Sequence, residues 1–413
     1  MTNPCVKRAT CRLCGESELE LVLPVVATPP GDHYVSAAEV NVPQETYSHD
    51  IVLCKRCGLS QLAYTVNPEI LYRYYSYTSS ISLGLVDHFR IYAREVLARV
   101  KPPKGALVLD IGSNDGSLLR AFQAEGMTVL GVDPATEIAQ AATRSGVETR
   151  AGYFTKELAF KLKAERGAAA IVTANNVTAN VDNLGDLMEG IRHMLAPDGV
   201  FVFETSYWLD VIEKSLIETV FHEHLSYFSV KPLEIFFRRL GMELIDVQRV
   251  ETKGGSIRGT VQLAGGPRTA SPSVKDLVAL ETQAGLYRPE TYKAYAARLD
   301  GVKNDLQKLL GDLKAQGKTV AGYGASVGVT TLLYLFDLAG KLTFIADDNP
   351  VKQNTFSPGH HIPVLPSAAI YEKKPDYILI LAWAYSQPIM KKHQAFADGG
   401  GHFIIPLPKV TVI

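Results

Sequence analysis

The chain carries five cysteines, Cys5, Cys11, Cys14, Cys54 and Cys57, and none in the remainder of its 413 residues. Four of them fall into two short pairs, "CRLC" at 11–14 and "CKRC" at 54–57. No other feature constrains the fold as much. A CxxC pair puts two thiolates on one tight turn, and two such turns supply four sulfurs, the tetrahedral set of a structural zinc. A redox dithiol needs only one pair, and a disulfide framework would not be confined to one end of a large intracellular chain. The pattern predicts a small zinc-binding domain over residues 1–75, with Cys11, Cys14, Cys54 and Cys57 as ligands and Cys5 as a surplus thiol. One metal-held domain of that size cannot organise a chain this long, so length predicts one or two further domains with cores of their own.

Those domains read as soluble and globular, with 46% hydrophobic and 21% charged residues. Lys plus Arg is 42 against 43 for Asp plus Glu, which excludes a nucleic-acid protein working by broad phosphate attraction. No apolar run reaches the roughly 18 residues that cross a bilayer. The opening "MTNPCVKRATCRLCG" is polar and has no apolar core, unlike a secretory signal. The expectation is a cytoplasmic protein with neither nucleic acid nor membrane as partner.

From about residue 80 to 250, apolar strand-like runs alternate with amphipathic helical stretches. "ALVLDIG", "TVLGVD", "AAIVTAN" and "GVFVFET" are the strands. Strand then helix, repeated, predicts an α/β domain with a parallel sheet covered on both faces. "LAGGPRTASPSV", 263–274, reads as a linker from its Gly, Pro and Ser content. A long helical stretch follows, and the last hundred residues repeat the alternation in "TVAGYGAS", "LTFIADD", "DYILILAW" and "HFIIPLP".

"LVLDIGSNDGSLLRAF" is the second strong signal. A strand ends in Asp110, turns through Gly112, Ser113, Asn114, Asp115 and Gly116, and opens a helix. Glycines let backbone approach a ligand closely, and a helix N-terminus offers free amides. About twenty residues on, a second strand ends in Asp133, placed to accept from both ribose hydroxyls. The loop is not GxGxxG, and its acids disfavour a pyrophosphate while suiting a cofactor with an amino group and a sulfonium. That predicts S-adenosylmethionine held by Gly112, Asn114, Asp115, Gly116 and Asp133, with Asn175 and Asn176 of "TANNV" lining the same crevice. The "GYGAS" turn with Asp347 beyond it is a weaker echo, a degenerate nucleotide-binding shape rather than a nicotinamide site.

"FHEHLSYFS", 221–229, packs two histidines around a glutamate. The spacing does not match the HExxH of zinc proteases, and four cysteines already account for a metal. The stretch reads as a proton-transfer segment or as two structural histidines, and spacing does not decide between them.

Taken in order, "CRLC…CKRC", "YYSYTSSIS", "LDIGSNDG", "ANNV", "FHEHLSYFS", "KGGSIRG", "GYGAS", "DDNPVKQ" and "PGHHIPV" resemble the sugar C-methyltransferases. These S-adenosylmethionine-dependent enzymes methylate carbon 3 of nucleotide-linked 4-keto-6-deoxy sugars. The resemblance spans nearly the whole chain. It implies a zinc-binding domain (1–75), a class I methyltransferase (Rossmann-like) domain (76–262) and a second Rossmann-like domain (263–413) contributing to acceptor binding. It further implies His224 as general base with Glu223 beside it, Tyr75 as an active-site tyrosine, and Tyr77 and Ser80 as acceptor contacts. A TDP- or GDP-linked keto sugar is the implied partner, and three self-sufficient domains imply a monomer. Two acceptor-site positions depart from the family pattern: Phe221 stands where a tyrosine is common, and Asn180 where a histidine is common. "GYGASVGVTT" also lacks a lysine and an asparagine common there.

Overall fold

A computed structural model describes residues 4–71 and 84–413. Three units are visible, each with its own sheet. In the first, β1 (Cys5–Lys7) pairs with β5 (Tyr64–Val66), while β2 (Leu19–Leu23), β3 (Ile51–Cys54) and β4 (Ser60–Leu62) form an antiparallel meander. A fourth strand joins that meander from far along the chain. It is β11 (Ser226–Tyr227), which lies antiparallel to β4 with Ser226 opposite Gln61.

The central unit is built on β6 (Leu107–Ile111), β7 (Thr128–Asp133), β8 (Thr149–Ala151), β9 (Ala169–Asn175), β10 (Leu195–Ser206), β12 (Met242–Val250) and β13 (Ser256–Leu263). Their order across the sheet is β12-β13-β10-β9-β6-β7-β8. The four strands read from the sequence are all present, and β6 is buried along its whole length, as a strand covered on both faces must be. The sheet is not wholly parallel: β13 runs antiparallel to both β10 and β12. The polar, alternating sequence of this hairpin, "ELIDVQRV" and "SIRGTVQL", hides it from a search for apolar runs. Strand order reverses between β6 and β9, so the ends of those two strands open a crevice.

The third unit has the strand order β16-β17-β15-β14-β18-β19-β20. Its parallel core is β14 (Val320–Tyr323), β15 (Ile345–Asp347), β17 (Pro363–Pro366), β18 (Tyr377–Ile380) and β19 (His402–Ile405). Short antiparallel strands, β16 (Thr355–Phe356) and β20 (Thr411–Val412), close the two edges.

The units are joined by packed structure. Segment 263–274 is irregular, as its composition predicts, but it is no free tether. Gln262 brackets Arg268 through both atoms of its amide, Arg268 donates to the Asp198 carbonyl at 2.5 Å, and Ser273 Oγ donates to Asp246 at 3.0 Å. In the helix that follows, Ser273–Gln283, Glu281 is fully buried and accepts from the Val230 and Lys231 amides at 2.6 and 3.1 Å and from Tyr207 Oη at 2.9 Å. It therefore caps the Val230–Arg239 helix, whose own first residues offer no side-chain cap. The Pro289–Ala315 helix starts on a proline and buries Tyr292, Tyr295, Leu299, Val302, Leu306 and Leu310 at spacings of three and four. At about 40 Å long it reaches every unit. Tyr292 Oη meets Ser60 Oγ at 2.7 Å and Trp208 Nε1 at 3.1 Å, and Gln307 donates to the Phe336 carbonyl at 2.5 Å.

Candidate active site and zinc centre

Each CxxC pair is followed by a glycine in the left-handed region, Gly15 at φ 78° and Gly58 at φ 86°. Their amides donate to the Cys11 and Cys54 carbonyls, both at 2.9 Å, closing two like knuckles. The four sulfurs of Cys11, Cys14, Cys54 and Cys57 lie within 4.8 Å of one another, and Cys11–Cys57 and Cys14–Cys54 are each 3.5 Å apart. Tetrahedral zinc with bonds of about 2.3 Å needs sulfurs about 3.8 Å apart, so the set fits the ion. Cys5 stands outside it, on β1.

In the central unit the loop after β6 forms a cradle. Gly112 and Gly116 take φ values of 70° and 77°. A Cβ on Gly112 would sit 2.2 Å from Val177, so only glycine fits. The helix opens at Ser117, whose amide and hydroxyl both donate to Asp115 at 3.0 and 2.6 Å. At the end of β7, Asp133 accepts the Asn114 amide on one oxygen and the Ala135 amide on the other, each at 2.8 Å. It thus holds the loop and the second strand together. Burial raises its pKa despite the two donors. Asp110 beneath the loop is pushed up to about 7 by burial. Across the crevice, Asn175 ends β9 and Asn176 follows at φ 56°. The structure therefore brings Gly112, Asn114, Asp115, Gly116, Asp133, Asn175 and Asn176 to the strand ends of one sheet.

The "HEH" segment lies beside that crevice. His224 Nδ1 is 2.8 Å from the Thr219 carbonyl, which can only accept. The neutral ring therefore carries its proton on Nδ1 and offers Nε2 as an acceptor. Burial lowers its pKa to about 4, with Lys253 adding to the effect. The Phe221 ring covers one face of His224 at a centroid distance of 4.0 Å. His222 points elsewhere: it bonds the Tyr47 carbonyl at 2.9 Å and meets the His49 ring edge-on at 4.9 Å, fully inside the protein.

Glu223 is pushed up to about 8, first by burial and then by Asp32, against the pull of Lys352 and Lys253. Those neighbours come from three units. Asp32 belongs to the insertion between the cysteine pairs, Lys253 to the tight turn between β12 and β13, and Lys352 to the third unit, where its ammonium pairs with Asp32 at 2.5 Å. Lys253 is solvent-exposed in part, and surrounding protein lowers its pKa against the opposing pull of Glu204 and Glu223. Asn180 ends the short 3-10 turn Thr178–Asn180, and the preceding Ala179 carbonyl accepts the Leu225 amide at 2.7 Å. Asn180, Phe221, Glu223 and His224 are thus one neighbourhood. Tyr75, Tyr77 and Ser80 lie outside the described residues.

Sequence reading missed Asp32, Lys253 and Lys352. The two lysines sit in stretches that matched the family, "KGGSIRG" and "DDNPVKQ", but carry no spacing signature. It also missed Glu204, at the end of β10 and opposite Asn175. Glu204 is buried and accepts from Arg258 at 2.7 Å and from His88 at 2.9 Å. His360, in the Pro-Gly turn, stacks on Tyr334 at 4.1 Å as a packing residue.

The strand order, with one antiparallel strand before the last, and the cradle at the reversal point define a class I methyltransferase that uses S-adenosylmethionine, with zinc as its second cofactor. Three family models divide the chain between them: "Putative zinc binding domain" at 11–72, "Methyltransferase domain" at 86–247 and "C-methyltransferase C-terminal domain" at 251–408. The C-methyltransferase NovU of Streptomyces niveus is 32% identical over 404 residues, covering 98% of this chain and 96% of the relative. The chain belongs to this C-methyltransferase family and is an S-adenosylmethionine-dependent C-methyltransferase. Among solved structures, magnesium protoporphyrin IX methyltransferase from Synechocystis PCC 6803 with bound SAH is similar over 43% of this chain and 83% of its own, at 15% identity and a TM-score of 0.33. An S-adenosylmethionine-dependent methyltransferase from Clostridium acetobutylicum ATCC 824 is similar over 48% and 96%, at 13% identity and a TM-score of 0.35. Among the described residues, no helix is long and apolar enough to cross a membrane.

Proposed function

We propose that the enzyme methylates carbon 3 of a nucleotide-linked 4-keto-6-deoxy sugar, with His224 as general base. The observation that carries this reading is the tautomer of His224: Nδ1–H is held by the Thr219 carbonyl and Nε2 is left as a base, beside the cofactor strand ends. A proton on carbon 3 is acidified by the neighbouring ketone. His224 Nε2 takes that proton, and the C–H electron pair becomes the enolate of carbons 3 and 4. S-adenosylmethionine, which the Gly112–Gly116 loop and Asp133 would hold, would supply an electrophilic methyl to carbon 3 and leave as S-adenosylhomocysteine. The imidazolium then passes its proton to solvent. With Phe221 and Asn180 in place of the family's tyrosine and histidine, oxyanion support or sugar recognition must differ here, and Lys253, whose charge acts on both Glu223 and His224, is the cation in this reading that offsets the oxyanion.

The base is weak in the free enzyme because burial and Lys253 depress it. A bound anionic acceptor would neutralise Lys253 and so strengthen His224 as it arrives. Burial pushes Glu223 up to about 8, which favours the protonated carboxyl as a donor to the sugar. TDP- and GDP-linked sugars are the acceptor class in this reading. The chain acts as a cytoplasmic monomer, a placement supported by four thiols kept for zinc rather than disulfides.

The test is methyl transfer from labelled donor to TDP- and GDP-linked 4-keto-6-deoxy sugars, with the product read by NMR. A new carbon-bound methyl is expected. An O- or N-methyl product, or no product across the acceptors, sinks the reading. His224→Asn should lose about 10²–10⁴ in kcat while S-adenosylmethionine binding survives, and near-normal turnover would remove His224 as base.

A further inference from the structure

The catalytic segment is built into the zinc unit's sheet. Leu225, next to His224, is held on both sides: its amide donates to the Ala179 carbonyl at 2.7 Å and its carbonyl accepts the Leu62 amide at 3.0 Å. β11 then continues along β4. Leu62 and Ala179 belong to different units, so His224 is placed only as well as those two are fixed to each other.

Arg12 bonds to both sides of that connection. Arg12 lies inside the first cysteine turn, between Cys11 and Cys14, with its side chain fully buried. Its guanidinium donates to the Leu62 carbonyl at 2.9 Å, to Thr65 Oγ1 at 2.7 Å and to Asp182 Oδ1 at 2.9 Å. Its own amide donates to the Gln61 side chain at 2.8 Å, opposite Ser226 in the register. Asp182 follows the Thr178–Asn180 turn and also takes Arg8 at 3.0 Å. A buried cation is costly unless its donors are matched, and here Nη1 finds Leu62 of β4, Nε finds Asp182 after the turn, and Nη2 finds Thr65 of the adjoining β5.

We propose that Arg12 is a positioning residue for His224, fastening the zinc knuckle, strand β4 and the Ala179–Asp182 turn into one support. Order at the zinc site is thereby transmitted to the base. The catalytic part rests on reading His224 as the base; the structural part does not.

The test pairs two variants, Arg12→Met and Asp182→Asn, the second leaving the cysteine turn untouched. Deuterium exchange of the peptide covering residues 220–229 should rise at least tenfold in both, with β2 and β3 unchanged. Zinc content and the S-adenosylmethionine Kd should hold, kcat should fall at least tenfold, and Arg12→Lys should recover part of it. Wild-type exchange at 220–229 in Asp182→Asn overturns the proposal, as does exchange in Arg12→Met that rises equally over β2 and β3. If His224→Asn keeps its turnover, the base assignment fails while the exchange result still decides the role of Arg12.

Discussion

The two α/β units solve the same local problem and put the solution to different use. In the methyltransferase unit, Asp133 accepts the Asn114 and Ala135 amides at 2.8 Å each. In the C-terminal unit, Asp347 accepts the Ala325 and Asn349 amides at 2.6 and 2.7 Å. Both acids end the second strand, both clamp the glycine loop after the first, and burial raises both pKa values. The loops then diverge. Gly112 and Gly116 approach Val177 and Val147 of their own unit. The second loop is plugged by the rest of the chain. A Cβ on Gly328 would lie 2.0 Å from the Glu218 carbonyl oxygen, and one on Gly31 would lie 2.3 Å from that of Val327. The Thr330 and Thr331 hydroxyls donate to the Gly31 and Val220 carbonyls at 3.0 and 2.7 Å. The helix start that would receive a phosphate receives protein instead.

The largest effect expected from this difference is at the two acids. Asp133→Asn should weaken S-adenosylmethionine binding by about 10- to 100-fold, the worth of a charge-assisted hydrogen bond, whereas Asp347→Asn should leave that Kd within about twofold of wild type by the same reasoning. Titration calorimetry on both variants decides it, and equal losses would mean that the two cradles are not functionally distinct. NADH should give no binding heat with either, since the C-terminal loop is already filled.

Why the sequence announced one cradle clearly and left the other ambiguous is physical. A glycine turn with an acid about twenty residues on is a local pattern, and both units have it. What fills the second loop is Gly31 and residues 218–220, which sequence distance hides. The zinc set was legible because CxxC spacing is local, and the β6, β7 and β9 crevice because its strands are continuous apolar runs. The β12–β13 hairpin was not, because its strands alternate polar and apolar residues. His224 drew notice through motif resemblance. The charged groups around it, Lys253 acting on His224 and Lys352 and Asp32 acting on the neighbouring Glu223, are assembled by tertiary structure alone.

Glycine substitutions should separate the units next. Gly112→Ala meets Val177 and also forces a side chain to φ 70°, so cofactor binding should fall about tenfold with little change in acceptor KM. Gly328→Ala has ordinary backbone angles and only a clash, against the Glu218 backbone. It should cost about 1–3 kcal/mol of stability by overpacking, lower Tm by several degrees, and raise acceptor KM without moving the cofactor Kd. Thermal unfolding together with steady-state kinetics checks both, and a cofactor-binding defect in Gly328→Ala would break the distinction.

The smallest effect, and the one that says what the plug is for, is in pH dependence. The residue after Gly31 is Asp32, which pairs with Lys352, and both act on Glu223. Docking the insertion onto the second loop therefore builds the electrostatic surroundings of Glu223. Glu223 is raised from 4.5 to about 8 in the folded chain. Between those values the folded state holds a proton that the unfolded state has released, so this contribution to stability is full below about 4.5 and is lost as pH rises through about 8. His224, lowered from 6.5 to about 4, works the other way: its contribution is full above 6.5 and is lost as pH falls through about 4. Glu223→Gln removes the first slope and leaves the second. Its Tm relative to wild type should therefore climb from pH 5 to about pH 8 and level off above that. Asp32→Asn removes a repelling carboxylate and should shift the midpoint of that climb downward. A Tm difference that stays flat across this range would separate Glu223 from the plug and leave the second cradle as packing alone.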